Sequence, residues 1–374
     1  KNQLPFRYSD EASNWGRVNG AAAYALKARA LLYRASKLNN PDGNTAYWAN
    51  AAQAAADFIT QNNKQSSPYR LYNTGNPEND YYECFTTNPV YNNEIILARS
   101  VWNTNQVEKV FLPVGFTGSF SGNGRTNPTQ NLVDAYEMSN GKRIDENGST
   151  YDAANPYKDR DPRLAQTIFY QGMMWGRADK EERRAIDVRY NSDADKGVDY
   201  TSAMGGTYTG YYLKKFVNNI SCKEPATYPH AWMIFRYGEI LLNAAEAYNE
   251  AEGPAKAYSY INEVRARAGM PAYADMSQSE LRERIRNERR IELAFEDHRF
   301  WDVRRWKIAD TTQRELYGVK IEKQADGTFN FYKNLYETRN WRDCMYLYPI
   351  PQSELYKNCL LYTSPSPRDT ERSR

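Results

Sequence analysis

The chain has 374 residues, which at roughly 150 residues per domain falls between two domains and one large one. Its 49 Lys and Arg against 46 Asp and Glu leave a net charge of +3, so no electrostatic field argues for nucleic acid or an anionic membrane as a partner. An apolar content of 41% supports a core, while a mean hydropathy of -0.85 and the lack of any apolar run of about 18 residues speak against a membrane-spanning helix. The unusual feature of the composition is aromatic: 31 Tyr, 13 Phe and 8 Trp make up 14% of the chain. Tyr and Trp combine a broad apolar face with a polar tip, which suits half-exposed surfaces that meet sugars, peptides or a partner protein.

In chain order, the stretch GRVNGAAAYALKARALLYRASKLNN places Ala22, Leu26, Ala30 and Tyr33 at helical spacing, and these are expected to form a buried face. After the NPDGN turn a second helix carries Trp48, Ala52, Ala55 and Ile59 on one stripe. Two adjacent Ala-rich amphipathic helices predict an antiparallel hairpin with close backbone approach. From about Cys84 to His230 the periodicity loosens into Gly-rich turns, and GGTYTGYYLKKF reads as a β-hairpin around Gly210. The helical pattern returns with Ala245, Tyr248, Ala257, Ile261 and Val264, the small and large steps of a tetratricopeptide helix pair. A further helix starts at Ser277, whose spacing to Glu280 makes a capping box. Its stripe of Leu281, Ile285, Glu288, Glu292 and Phe295 puts two carboxylates on the face to be buried.

The fold class that follows is mainly α: tetratricopeptide-like helical hairpins forming an α/α superhelix, with an irregular, loop-rich insertion containing short β-hairpins. One domain over 1–358 divides into a helical hairpin at 16–62, a loop-rich region at 68–230, helical repeats at 231–310 and a C-terminal segment at 311–358. Residues 359–374 are expected to be disordered, and their Ser/Pro/Arg bias raises a non-native origin.

Chemistry is sparse. Four cysteines, Cys84, Cys222, Cys344 and Cys359, form no CxxC, and no disulfide among them is favoured. The two histidines, His230 and His298, offer little for a metal, and no GxSxG, Walker loop or GxGxxG after a strand occurs. No metal and no cofactor is expected. Glu288, Glu292 and Glu296 share a helix face and could imitate the carboxylate pair of a glycosidase. Nearby arginines would depress their pKa values, whereas a general acid needs a raised one. Structural ion pairs among Glu288, Glu292, Arg289, Arg299 and Arg304, together with Arg305, are the stronger expectation, with Trp301 and Trp306 covering them. An α-helical glycosidase acting through Glu288 or Glu292 is the alternative. For ligand binding the candidates are Tyr72, Tyr81 and Tyr82, in a polar loop with Asn73, Asn76, Asn79 and Asp80, and Trp102 and Trp175 beside further turns.

Four segments in order, RYGEILLNAAEAYNEAEG, INEVRARAG, RNERRIELAFEDHRFWDVRRW and YLYPIPQSEL, resemble the hallmarks of the SusD-like (RagB/SusD) outer-membrane nutrient-binding family. Upstream, GRVNGAAAYALKARALLY, NPTQNLVDAYEMSNGK, NPYKDRDPRLAQTIFYQG and TGYYLKKF are similar to the same family, so the resemblance runs from about Gly16 to Asn358. It implies four tetratricopeptide-like helix pairs carrying an irregular binding face, and a protein that binds without catalysing. It also implies an outer-membrane lipoprotein facing outside, which captures oligosaccharides, or peptides or glycopeptides, for a TonB-dependent (SusC-like) transporter. Membrane attachment would run only through an N-terminal lipid anchor in a part absent from this chain. The family's ligand residues lie in variable loops, so none transfers to a numbered position here.

Overall fold

A computed structural model describes residues 4–202 and 205–357. The tail at 359–374, and Cys359 with it, lies outside the described residues. Six described helices are eight residues or longer: α1 (Gly20–Ala35), α2 (Thr45–Asn62), α3 (Tyr237–Glu252), α4 (Pro254–Arg267), α5 (Gln278–Glu292) and α6 (His298–Arg305). The described strands pair only two by two. This is the mainly helical fold with short strand pairs that the sequence predicts.

Local chemistry sets the first hairpin. The Asn19 side chain caps α1 by accepting from the Ala22 amide at 2.8 Å. In the turn, Asn40 accepts from the Asn44 amide at 2.8 Å and donates to the Ala35 and Asn44 carbonyls at 3.2 and 3.0 Å. That fastens the end of α1 to the start of α2. The buried residues of α1 are Ala21, Ala22, Ala25, Ala28, Leu32 and Ala35; of the expected face Ala22 is buried and Tyr33 half-buried, whereas Ala30 is exposed and Leu26 is 57% exposed. Alanine occupies most angular positions of this helix, so apolar spacing does not single out a face. Opposite lie Ala51, Ala52, Ala54 and Ala55 of α2, and the tightest surfaces are the ones that meet.

Helix α3 is the centre of the scaffold, packed by α1, α2, α4 and α5 and buried from Tyr237 to Ala247. Glu239, Asn243 and Glu246 line one stripe of it, and each has a partner. Arg29 of α1 grips Glu239 at 2.6 and 2.5 Å, while Arg305 grips Glu246 at 2.5 and 2.6 Å. Arg289 donates to Asn243 at 2.8 Å.

The capping box of α5 forms as predicted, and Leu281, Ile285, Glu288 and Glu292 are all buried. The partners of these carboxylates come from other elements than expected. Glu288 meets Arg163 and, at 3.1 Å, Arg265. Glu292 meets Arg163 at 3.0 Å, Arg236 at 2.8 Å and Arg267. Arg289 instead pairs with Asp302, as does Arg305. Arg299 keeps a buried Nε without a partner, and Arg304 lies 3.5 Å over the Phe300 ring. One step along a helix turns a side chain by about 100°, so Arg289 cannot share the direction of Glu288. Positive φ at Phe295 and Asp297 then turns α6 away from that face. Trp306 is buried and donates to Glu246 at 2.7 Å, whereas Trp301 is 42% exposed and covers no pair.

Because Arg163 and Glu94 belong to the loop-rich region, this ion-pair layer bonds that region to the helices. Arg236 alone bridges Glu94 at 2.5 Å, Glu292 and, at 2.6 Å, Glu296. Removing one partner from such a buried set costs about 3–5 kcal/mol, since it strands the others.

No hairpin forms around Gly210. Tyr212 and Leu213 pair with Ile168 and Phe169, and the segment Gly205–Gly206 pairs back with Thr201–Ser202. Gly210 has φ +82° with the Val319 carbonyl 2.6 Å from where a Cβ would stand, so only glycine fits there. Val319 lies in the longest strand pair of the described residues, Glu315–Lys323 with Phe329–Thr338, in the C-terminal segment. Cys84 and Cys222 are buried, Cys344 is exposed, and all three are free.

Candidate functional site

Two strand pairs place aromatic rings on the surface beside the helical scaffold. The strand β1 (Ile95–Ala98) pairs antiparallel with β4 (Met233–Arg236), and β2 (Trp102–Thr104) pairs with β3 (Tyr228–His230). In the second pair Trp102 stands directly opposite His230, their rings 6.1 Å apart and tilted by 45°. Trp102 is 40% exposed, whereas His230 is buried beneath it. His230 Nε2 stands 3.2 Å from Glu108, which also accepts from the backbone and side chain of Asn218 at 3.0 and 3.1 Å. The exposed indole therefore rests on a buried polar pillar.

Trp232 sits two residues beyond His230, is likewise 40% exposed, and leans on Phe216 at 5.8 Å, which contacts Phe85 edge-on at 5.6 Å. Arg99 joins the two tryptophans. Its guanidinium lies 5.7 Å from the Trp102 ring, and its amide donates to the Trp232 carbonyl at 2.9 Å. Its own carbonyl accepts from the Trp15 indole at 3.3 Å. The result is a platform formed by a pair of exposed indoles with a cation beside Trp102, which is held in the β2–β3 pair while Trp232 stands in the link between β3 and β4. Such a surface offers stacking faces and hydrogen-bond donors.

The model of the SusD family matches residues 48–366. This chain belongs to the SusD family. SusD-like protein P25 of Formosa agariphila is 26% identical to it over 361 residues, covering 86% of this chain and 58% of the relative. A SusD-like protein of Bacteroides fragilis superposes with a TM-score of 0.74 at 29% identity, covering 95% of this chain and 66% of that one. A second structure from the same species, a SusD-like carbohydrate binding protein, superposes with a TM-score of 0.70 at 26% identity, covering 94% and 66%. The chain thus spans less than two thirds of the length of these SusD relatives.

Within this SusD-family fold the five aromatic candidates do not converge. Trp102 is on the platform. Tyr81 is fully buried in the ion-pair layer, its hydroxyl donating to the Glu292 carbonyl at 2.6 Å and accepting from Lys215 at 2.6 Å, so it has no face to offer a ligand. Trp175 is 8% exposed and packs edge-on against Phe169 at 4.9 Å. Tyr82 is half-buried, bonded to the Val217 carbonyl at 2.6 Å and edge-on to Trp175. Tyr72 is half-buried, its hydroxyl 3.3 Å from Glu83, and burial raises its pKa. Sequence reasoning missed Trp232 and Arg99. The signal for Trp232 is a faint period of two, with Trp232 and Ile234 exposed on either side of half-buried Met233.

The carboxylates of the glycosidase alternative have no access to a ligand, and Glu292 lacks the proton affinity of a general acid. Glu288 and Glu292 are at most 1% exposed. Burial by itself would raise the pKa of Glu292, but Arg267, Arg236 and Arg163 outweigh it and hold the carboxyl well below the usual range. His230 and His298 lie in separate settings, His298 beside Glu239 at 3.9 Å. Among the described residues no group of three or more His, Cys, Asp or Glu is arranged to hold a metal ion, and no helix is long and apolar enough to cross a membrane.

Proposed function

We propose that this chain is the binding part of a cell-surface protein that captures oligosaccharides through the Trp102–Trp232 platform and hands them to a TonB-dependent outer-membrane transporter. The single observation that carries the reading is two 40%-exposed indoles, Trp102 on β2 and Trp232 in the link between β3 and β4, with the Arg99 guanidinium beside Trp102 and the Arg99 amide bonded to the Trp232 carbonyl. An indole face matches the C–H face of a pyranose ring, and a guanidinium supplies donors to hydroxyls at its rim. Membership in the SusD family and the likeness to a SusD-like carbohydrate binding protein support saccharides as the ligand class. Attachment to the outer leaflet by a lipid anchor, and the partner transporter, belong to the same proposal and follow from the family.

A glycan array followed by calorimetry on the best ligand tests it. Each aromatic contact contributes about 0.5–1.5 kcal/mol beyond burial, so Trp102→Ala and Trp232→Ala should each weaken binding by roughly 3- to 10-fold with the fold intact. Tyr81→Phe, which leaves the platform untouched, should not change ligand affinity. Binding to peptides with no response to any glycan would reassign the platform to peptide or glycopeptide capture. Glycan binding indifferent to both tryptophans would remove it from the site.

A further inference from the structure

The hairpin of the C-terminal segment, β5 (Glu315–Lys323) with β6 (Phe329–Thr338), has one sealed edge and one open edge. On β5 the amides of Tyr317, Val319 and Lys323 donate to the Asn131 side chain at 2.8 Å, the Thr209 carbonyl at 2.9 Å and the Asn191 side chain at 2.9 Å. The carbonyls of Glu315 and Lys323 accept from the same two asparagines at 2.9 and 3.0 Å. Backbone groups alternate sides along a strand, so with these odd-numbered residues turned to the body, Gly318, Lys320 and Glu322 turn to β6, opposite Asn334, Tyr332 and Asn330. Phe329, Phe331, Lys333 and Leu335 of β6 therefore point their N–H and C=O groups outward. Among the described residues none of those groups has a hydrogen-bond partner.

An unpaired edge of this kind is a template for another strand. Lysine is a residue that commonly guards such an edge, but Lys333 is drawn onto the body, bonded to Asp134 at 2.7 Å with its ammonium 4.7 Å over the Tyr317 ring. The side chains say which strand fits. Laid antiparallel on itself about Tyr332, the stretch from Phe329 to Leu335 sets Phe331 against the partner's Lys333, Phe329 against the partner's Leu335, Asn330 against the partner's Asn334, and Tyr332 against its own copy. In that register every outward N–H and C=O meets another, and the one charged residue of the stretch does not face itself. Moving the centre by one residue to Lys333 would bring two ammonium groups together. Tyr332 and Leu335 are 47% and 49% exposed, so the side chains that would meet are accessible. The bulge at the pairing of Leu316 and Tyr317 ends the regular edge just beyond Leu335.

We propose that two copies of this chain join along β6, antiparallel about a twofold axis at Tyr332, to make one continuous sheet in the order β5–β6–β6–β5. The interface is separate from the platform and does not depend on it. Sedimentation velocity and light scattering on the full chain test it, with the mass expected to double as concentration rises through roughly the micromolar range of a small interface. Like charges directly opposite each other repel, so Tyr332→Lys and Tyr332→Glu should each weaken the dimer by at least ~10-fold. An equimolar mixture of the two should restore it to within about 3-fold of the parent, since Lys then faces Glu. Leu335→Pro removes an outward N–H and leaves the bonds to β5 in place, so it should also give a monomer at an unchanged melting temperature. If that variant does not fold, the Tyr332 pair decides alone. A monomer at every concentration, which would leave the edge to a peptide or another protein, a dimer indifferent to Tyr332→Lys, or a mixture of the two variants that stays monomeric would each overturn the assignment.

Discussion

Gly238, in the first turn of α3, shows how tightly the charged layer is packed at the scale of one residue. Replacing a helical glycine by alanine ordinarily gains up to about 1 kcal/mol. Here a Cβ would stand 2.4 Å from Arg236 Nη1 and 3.0 Å from Glu94 Oε1. The end of an arginine is normally free to move aside, but this one is fixed by Glu94, Glu292 and Glu296. Gly238→Ala should therefore destabilise the protein, by about 1–3 kcal/mol as for other overpacked cores, in urea unfolding. A gain in stability would show that the Arg236 pairs are slack. Arg163→Met makes the complementary case, since it strands Asp161, Glu288 and Glu292 together. The expected loss is about 3–5 kcal/mol, and a neutral result in the same measurement would contradict the ion-pair layer as drawn.

At the scale of elements, α1 shows what a sequence can and cannot reveal. The helices, the hairpin and the cap of α5 were legible, because the NPDGN turn and the Ser277–Glu280 box act locally, while the Asn19 cap of α1 came only with the structure. Which face of α1 is buried was not, because alanine-rich spacing fits several faces and the choice is made by α2 and α3. The same reasoning explains the partners of Glu288 and Glu292: that buried carboxylates need cations is a local inference, but Arg163 and Arg236 are brought in by the fold from 125 and 56 residues away. The platform was legible only as Trp102, because strands of three or four residues carry almost no period, and pairing β2 with β3 requires the whole loop-rich region between them. Mutation distinguishes the two faces of α1. Ala28, against Ala54, Ala55 and Ala244, should not accept a larger side chain, so Ala28→Leu is expected to cost about 1–3 kcal/mol. Leu26→Ala, on the exposed face, should stay within about 0.5 kcal/mol. Thermal or urea melts that reverse this order would put Leu26 and Ala30 on the buried face instead.

Across the whole molecule, the ion-pair layer couples the irregular region to the helices, so its titration should be felt as loss of the whole fold. Burial would raise the pKa of Glu296, but Arg236 and Lys215 lower it to about 2, and Glu292 and Asp302 shift in the same direction. A carboxyl whose folded pKa lies below its unfolded value of 4.5 stabilises the fold fully above that pH. The contribution is lost as pH falls from about 4.5 toward 2. His298, whose pKa burial lowers despite the opposing charge of Glu239, favours the unfolded state as it protonates below its ordinary 6.5, so a first loss begins earlier. Urea unfolding measured at successive pH values should therefore show stability declining below pH about 6.5 and collapsing between about 4.5 and 2. Glu296→Gln should be less stable at pH 7 and show a shallower acid limb, because it no longer has that proton to take up. Parallel acid limbs in the variant and the parent would mean that the Glu296 pairs do not hold the two regions together.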